Sequence, residues 1–202
     1  MINAGPTIEA WDAVRTMSNR ATGTLGAKLA DAAAVRGAKV TLVAGKGTPA
    51  TRVDVSRIDV ESADEMLKAC LHAAKGVDVF VGTAAVSDFR FAETSEHKLK
   101  RQGQAELTVK LIENPDIIQS VANMPQRPTQ VVAFAAESEN HVAHAQAKLE
   151  QKGVDAVVAN DVSNMGVDSA AGWWITEEDV RNLPSQNKQE FVVTLMDCIC
   201  KP

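Results

Sequence analysis

The chain has 202 residues, a net charge of −5, and 45% hydrophobic and 23% charged side chains, the proportions of an ordinary globular protein long enough to bury one substantial core. The acidic balance, with no cluster of Lys and Arg interleaved with aromatics, argues against a nucleic-acid or anionic-membrane surface. No apolar run approaches the roughly 18 to 20 residues that span a bilayer, and Met1-Ile2-Asn3-Ala4-Gly5 has no basic segment followed by an apolar stretch, so a cytoplasmic, single-domain chain over residues 1–202 is expected.

In chain order, short apolar runs at 1–4, 39–44, 77–85, 130–135 and 155–159 read as strands, and they alternate with helical patterns. Helices are predicted over 24–36, 62–75 and 138–152, stopped by Gly37, Gly76 and Gly153, where glycine takes the left-handed conformation that ends a helix. Residues 189–200 read as a closing helix. Strands this apolar need cover on both faces, which predicts an α/β fold: a doubly wound, mostly parallel, Rossmann-like sheet that binds ligands at the carboxyl ends of its strands. One stretch breaks the alternation. Residues 91–109 are polar and charged and 106–112 alternate like an exposed strand, which predicts a flap or arm near residues 91–112.

Several chemistries are excluded. With no Tyr, the Tyr-x-x-x-Lys acid of short-chain dehydrogenases cannot exist, and no G-x-S-x-G elbow is present. Cys70, Cys198 and Cys200 are odd in number and lack metal-site spacing, so they read as structural or incidental thiols. His141 and His144 are three apart on a predicted helix, but without a third ligand they read as a solvated face.

The first strand is followed by Gly5-Pro6-Thr7, a long loop, and Ser18-Asn19-Arg20-Ala21-Thr22-Gly23-Thr24-Leu25-Gly26 at a helix start. Glycines there let backbone N–H groups approach a phosphate beside the positive helix end, or serve packing alone. The pattern is not G-x-G-x-x-G, and the second strand ends Val43-Ala44-Gly45-Lys46 with no acid for a ribose, which counts against a dinucleotide. At the end of the 77–85 strand, Ala84 and Ala85 leave room for a ligand and Asp88 presents a carboxylate; equally, Asp88 is a cap or a partner of Arg90. Lys98-Leu99-Lys100-Arg101 sets three cations within four residues, awaiting an anion or lying solvated. Lys148 and Lys152 share a helix face, either facing an anion or complementing the helix C-terminus. Glu113-Asn114-Pro115-Asp116-Ile117-Ile118 places proline at a helix start, either setting the N–H groups of the first turn toward the sheet edge or serving as a cap alone. Phe134 and Asn160 end two strands, so that Asp88, Phe134 and Asn160 would converge in one crevice.

Read together these segments resemble the phosphopantothenoylcysteine synthetase (phosphopantothenate–cysteine ligase) family. The resemblance runs from about Gly5 to Asn160 through Ala4-Gly5-Pro6-Thr7, Asp12-Ala13-Val14-Arg15, Ser18-Asn19 to Gly26, Ala84 to Arg90, Lys98 to Arg101, Asn114-Pro115-Asp116, Phe134-Ala135-Ala136-Glu137 and Ala159-Asn160-Asp161. It implies a two-step ligation. The carboxylate of 4′-phosphopantothenate attacks the α-phosphate of CTP (ATP in eukaryotic relatives) with Mg2+ assisting, pyrophosphate leaves, and the amine of cysteine then displaces the nucleotide. It further implies that Gly5, Gly23 and Gly26 line a phosphate loop, and that Pro115, Asp116, Ile117, Ile118, Phe134, Lys148, Lys152 and Asn160 hold the nucleotide. Ala84, Ala85 and Asp88 would face the pantothenate arm, and Arg15 would reach the substrate of a neighbouring subunit in a homodimer. Asn19 would contact substrate and donate to the acyl oxygen in the second step, and Lys98 would fold in with the flap to neutralise the triphosphate. Metal ligands are not assigned.

Ala13, Ala21 and Arg101 depart from the proline, serine and lysine usual in the family at these places, and without the serine hydroxyl its contribution falls to backbone or to Thr22. Bacterial members are commonly fused to a flavin-dependent decarboxylase; this chain lacks that half, which is expected as a fused or associated partner. A nicotinamide-dependent oxidoreductase and a non-catalytic nucleotide-binding module are the alternatives.

Overall fold

A computed structural model of the chain describes residues 1–101, 103, 105–137, 141–161 and 169–200, without side-chain detail at 136, 137, 141 and 161. The N-terminal elements are β1 (Ile2–Ala4), the hairpin β2 (Ile8–Ala10) and β3 (Thr16–Ser18), α1 (Thr24–Val35), β4 (Thr41–Gly45), β5 (Ser56–Val60), α2 (Ala63–Ala73) and β6 (Val79–Gly82). The arm pair β7 (Phe89–Phe91) and β8 (Leu111–Glu113) follows, then α3 (Ile117–Ala122), β9 (Gln130–Glu137), α4 (His141–Lys152), β10 (Ala156–Asp161), β11 (Ser169–Ile175), β12 (Val180–Asn187) and α5 (Lys188–Ile199).

Among the described residues eight strands form one sheet in the order β12-β11-β10-β9-β6-β1-β4-β5. The six from β5 to β10 run parallel and the β11–β12 hairpin adds two antiparallel strands at one edge. The parallel strands are apolar because both faces are covered. Ile2, Ala4, Leu42, Val81 and Val132 pack under α1 and α5 with Leu29, Phe191 and Leu195. The alternate residues, Val43, Phe80, Val131, Ala133 and Val157, pack under α2, α3 and α4 with Met66, Cys70, Val121 and Ala145. The period-2 alternation of each strand thus feeds two cores.

Helix starts carry the expected chemistry. The Ser62 side chain accepts from Glu65 N at 3.2 Å, and Asp64 and Glu65 lie in the first turn of α2 against the positive helix end, where a cap contributes about 1 kcal/mol. Asn187 accepts from the N–H groups of Gln189 and Glu190 at 3.0 Å and starts α5.

The sheet follows the expected plan, with differences in detail. The predicted strand over 77–85 ends at Gly82, after which the chain turns through residues 83–88 over the sheet rim. The stretch 106–112 is strand only from Leu111: Leu107 and Val109 are exposed, and among the described residues no strand pairs with their backbone. The loop after Thr7 holds the β2–β3 hairpin. The strands β5, β11 and β12 were not expected: β5 alternates weakly, and β12 carries Pro184, tolerated because this is an edge strand. The expected helix start at 138 lies outside the described residues. In the order of strands the connection reverses between β1 and β6, the switch point at which open α/β sheets bind ligands.

Candidate active site

At the carboxyl ends of β1, β6 and β9, on the side of α3 and α4, lies a cavity of about 370 Å³. From the 83–88 turn it takes Ala84 and Asp88, and from the start of α3 it takes Pro115, Asp116, Ile117 and Ile118. Phe134 of β9 and Lys148 and Lys152 of α4 complete this set. Nine residues expected to bind nucleotide or substrate, from four separate stretches of sequence, therefore share one rim.

The start of α3 is built by Asp116, whose Oδ1 accepts from Gln119 N at 2.9 Å as the N-cap, so Pro115 precedes the helix rather than beginning it. The other oxygen, Oδ2, pairs with Lys152 Nζ at 2.7 Å. Capping and cavity lining are thus both performed by this residue. Partial burial alone would raise the Asp116 pKa, but the Gln119 N–H, Lys152 and Lys148 outweigh it and hold the carboxyl below its ordinary value. Its folded-state pKa being depressed, Asp116 adds stability that is present above the unfolded value of about 3.9 and lost as pH falls through the folded value. We predict that the unfolding free energies of the parent and Asp116→Asn differ by about 1 kcal/mol or less at neutral pH, because the group is partly solvated. The charge-dependent part of that difference should be lost as pH falls from the unfolded value of about 3.9 through the lower folded value, which acid-limb denaturant titrations will read.

The 83–88 turn is tied down on every side. Asn3, 1% exposed, accepts from Ala84 N through Oδ1 at 3.2 Å, and its Nδ2 lies 3.9 Å from the sulfurs of Met66 and Cys70. Burial pushes the Cys70 thiol up to about 12, so it stays a neutral part of the cavity's foundation. Gly5 O accepts from Ala85 N, and Ala85 O accepts from Thr7 N. The buried Thr7 hydroxyl accepts from Ser87 N at 3.0 Å. Asn114 closes the other end, its Nδ2 donating to Ser87 O at 2.8 Å and its backbone N to Asp88 O at 2.8 Å. Arg90 donates to Glu113 O and to Asn114 Oδ1, which leaves the Asp88 side chain at the cavity. Asn3, Thr7 and Asn114 were assigned no role from sequence; a polar residue inside the buried run Ile2–Ala4 was the available signal.

The other expected site residues lie elsewhere. Asn19 Nδ2 donates to Ala85 O at 2.8 Å, so its amide braces the same turn without lining the cavity. Ala85 joins through its backbone. Gly5 and Gly23 have φ of 82° and 70°, and a Cβ on either would lie 2.0 and 2.5 Å from Thr48 Oγ1. One on Gly26 would lie 2.4 Å from Ala4 Cβ. Gly26 thus seats α1 against β1, while Gly5 and Gly23 make room for Thr48, and none of the three lines the cavity. Gly23 occupies the N-cap of α1 with no side-chain cap; Thr24 N donates to Thr22 Oγ1 at 3.5 Å, and the next N–H groups of the first turn lie at the positive helix end, where an anion is favoured. Asn160, on β10, pairs in register with Ala136 and Gly172.

Arg15 lies in the turn of the β2–β3 hairpin and Lys98 in the arm. The Arg15 guanidinium donates through both Nε and Nη2 to Asp12 Oδ2, donates to Leu99 O at 3.0 Å and stacks 3.9 Å from the Trp11 ring centre. Arg15, with the N–H groups of Leu99, Val14 and Arg15 itself, holds the Asp12 carboxyl well below the usual range. Trp11 stacks on Phe91 at 5.6 Å, fastening the hairpin to the arm, and Lys98 is exposed. Among the described residues no group of three or more His, Cys, Asp or Glu converges, and no helix is long and apolar enough to cross a membrane. Mg2+ commonly takes one or two carboxylates plus substrate phosphates, a demand the cavity carboxylates Asp88 and Glu113 fit.

The sequence pattern of the DNA/pantothenate metabolism flavoprotein C-terminal domain family matches residues 1–201. The coenzyme A biosynthesis bifunctional protein CoaBC of Haemophilus influenzae is 47% identical over 162 residues, 80% of this chain and 40% of the relative. That of Escherichia coli is 39% identical over 203 residues, 98% of this chain and 50% of the relative. This chain therefore spans about two fifths to half the length of these relatives. The crystal structure of a CoaBC C-terminal domain superposes with a TM-score of 0.83 at 31% identity, covering 98% of this chain and 91% of that one. A Cab2 variant in complex with phosphopantothenate-cysteine shares the fold, with a TM-score of 0.79 at 16% identity, covering 98% of this chain and 84% of that one. The chain belongs to the DNA/pantothenate metabolism flavoprotein C-terminal domain family.

Proposed function

We propose that this chain is a phosphopantothenate–cysteine ligase of coenzyme A biosynthesis that works through an acyl-cytidylate. The observation that carries the proposal is the single cavity joining Asp88, the start of α3, Phe134, Lys148 and Lys152. The curated relatives are coenzyme A biosynthesis proteins, and the Cab2 neighbour is bound to phosphopantothenate-cysteine; both support the substrate assignment.

A carboxylate is a poor acyl donor because its leaving group would be oxide. Attack of the phosphopantothenate carboxylate on the α-phosphate of CTP forms the acyl–phosphate bond and expels pyrophosphate; the cysteine amine then forms the amide and expels CMP. Lys148 and Lys152 would bind the nucleotide phosphates, with Phe134 and Ile118 packing against the apolar part of the nucleotide. Gly5, Gly23 and Gly26 would keep the uncapped end of α1 accessible to the phosphate chain. Ala84, Ala85 and Asp88 would position the pantothenate arm. Mg2+, held by the triphosphate with Asp88 or Glu113, would spread the phosphate charge during the first step.

A second copy of the chain would cover the apolar side chains left exposed along the arm, namely Phe89, Leu99, Leu107, Val109 and Leu111, and bring its Arg15 to this active site. A flavin-dependent decarboxylase, fused or associated, would consume the product. Lys98→Gln should slow formation of the acyl-cytidylate by about 100-fold, as loss of a charge-stabilising donor does; intermediate formation at the parental rate would reject the arm's role. Incubation with CTP, Mg2+, 4′-phosphopantothenate and cysteine tests the whole proposal. Release of pyrophosphate that requires both CTP and phosphopantothenate supports it, and CTP binding without pyrophosphate release points to a non-catalytic nucleotide module.

A further inference from the structure

Gly82 closes β6, in register with Asn3 on β1 and Ala133 on β9. Its φ is not positive, so no backbone conformation demands glycine there and the reason must be space. A Cβ on Gly82 would lie 1.9 Å from Ile118 Cδ1 and 3.3 Å from Ile118 Cγ1. The δ-methyl of Ile118 therefore occupies the volume in which any other residue at this place would carry its side chain. The same point lies 3.5 Å from the Phe80 ring, which blocks movement along the strand. α3 itself is held by Ile117, 2% exposed, and by the Asp116 cap, so the helix does not back away easily. Ile118 lines the cavity, and the cavity is the open direction left to a displaced δ-methyl.

We propose that Gly82 sets the depth of the nucleotide cavity by giving the Ile118 side chain a place in the sheet wall instead of in the ligand's volume. This rests on the reading of the cavity as a nucleotide site and adds to it a specificity-determining residue that touches no ligand. A methyl group at 82 would move an apolar group inward and shrink the pocket while leaving the lysines and the Asp116 cap in place.

The test is a two-residue cycle read by direct titration of CTP with Mg2+. Gly82→Ala is expected to weaken CTP binding about tenfold or more, as overpacking does. Ile118→Val in the Gly82→Ala background deletes the displaced methyl and should restore affinity to within about threefold of the parent. Because the double variant removes the clash, it remains informative if the single variant folds poorly. Parental affinity in folded Gly82→Ala, or a folded double variant still bound about tenfold more weakly, overturns the proposal. A parent that binds no CTP overturns the nucleotide reading beneath it, so the two failures are told apart by the parent alone.

Discussion

Asn19→Asp is expected to slow condensation with cysteine by about 10² to 10³-fold while acyl-cytidylate accumulates, the effect of losing one oxyanion donor. The Asn19 amide donates to Ala85 O at 2.8 Å and has a second N–H to offer at the rim of the 83–88 turn. In the proposed ligation, negative charge would build on the acyl oxygen as cysteine attacks, and an amide donor already fixed in place would stabilise it without reorganisation. An aspartate has similar shape but no donor at neutral pH, so it loses the tie to Ala85 and repels the developing charge. The first step needs no such donor, so the intermediate still forms. Rapid-quench separation of acyl-cytidylate from phosphopantothenoylcysteine reads both steps; product formation at the parental rate removes Asn19 from the mechanism.

Gly5→Ala is expected to cost about 3 kcal/mol of stability, combining left-handed strain with overpacking, and to lower Tm by about 6 to 12 °C. Gly5 has φ 82°, and its added Cβ would meet Thr48 Oγ1 at 2.0 Å and Gly45 O at 3.2 Å. Thr48 cannot turn aside cheaply because it is buried and its hydroxyl donates to Gly45 O at 2.7 Å. Gly37 is the control. Its φ is 88° but nothing lies within 4 Å of the added Cβ, so Gly37→Ala carries only the strain, about 1 kcal/mol. Equal losses in denaturant unfolding of the two variants would show that the seat of β1 on Thr48 does not matter.

The parallel sheet was legible because its strands are covered twice and therefore uniformly apolar, as in Leu42-Val43-Ala44 and Val79-Phe80-Val81. The helices α1, α2 and α4 announced themselves through the glycine stops Gly37, Gly76 and Gly153. The β2–β3 hairpin was not legible: its strands are three residues each with mixed burial, too short for alternation to register. The β11–β12 hairpin escaped because an edge strand with one solvated face and a proline looks like a loop. At the site, Ala84, Asp88, the start of α3, Phe134 and the α4 lysines were identified through the family resemblance, and the fold brings them together. Asn3 was not, and Thr7 and Asn114 stood in the resembling motifs without a role, because their work is hydrogen bonding to the backbone of a turn, and only the fold shows which backbone needs it. Gly5, Gly23 and Gly26 were legible as necessary glycines, but sequence does not tell a glycine that admits phosphate from one that admits Thr48 or Ala4.

The central claim is that the rim joining residues 113–118 to Lys148 and Lys152 holds the nucleotide. Diffraction from crystals grown with CTP and Mg2+ tests it most directly. Triphosphate density is expected between Lys148, Lys152 and the first turn of α3, with the base beside Phe134 and Ile118; density in another groove, such as that lined by Lys28, Val35 and Val193 between α1 and α5, would contradict this assignment.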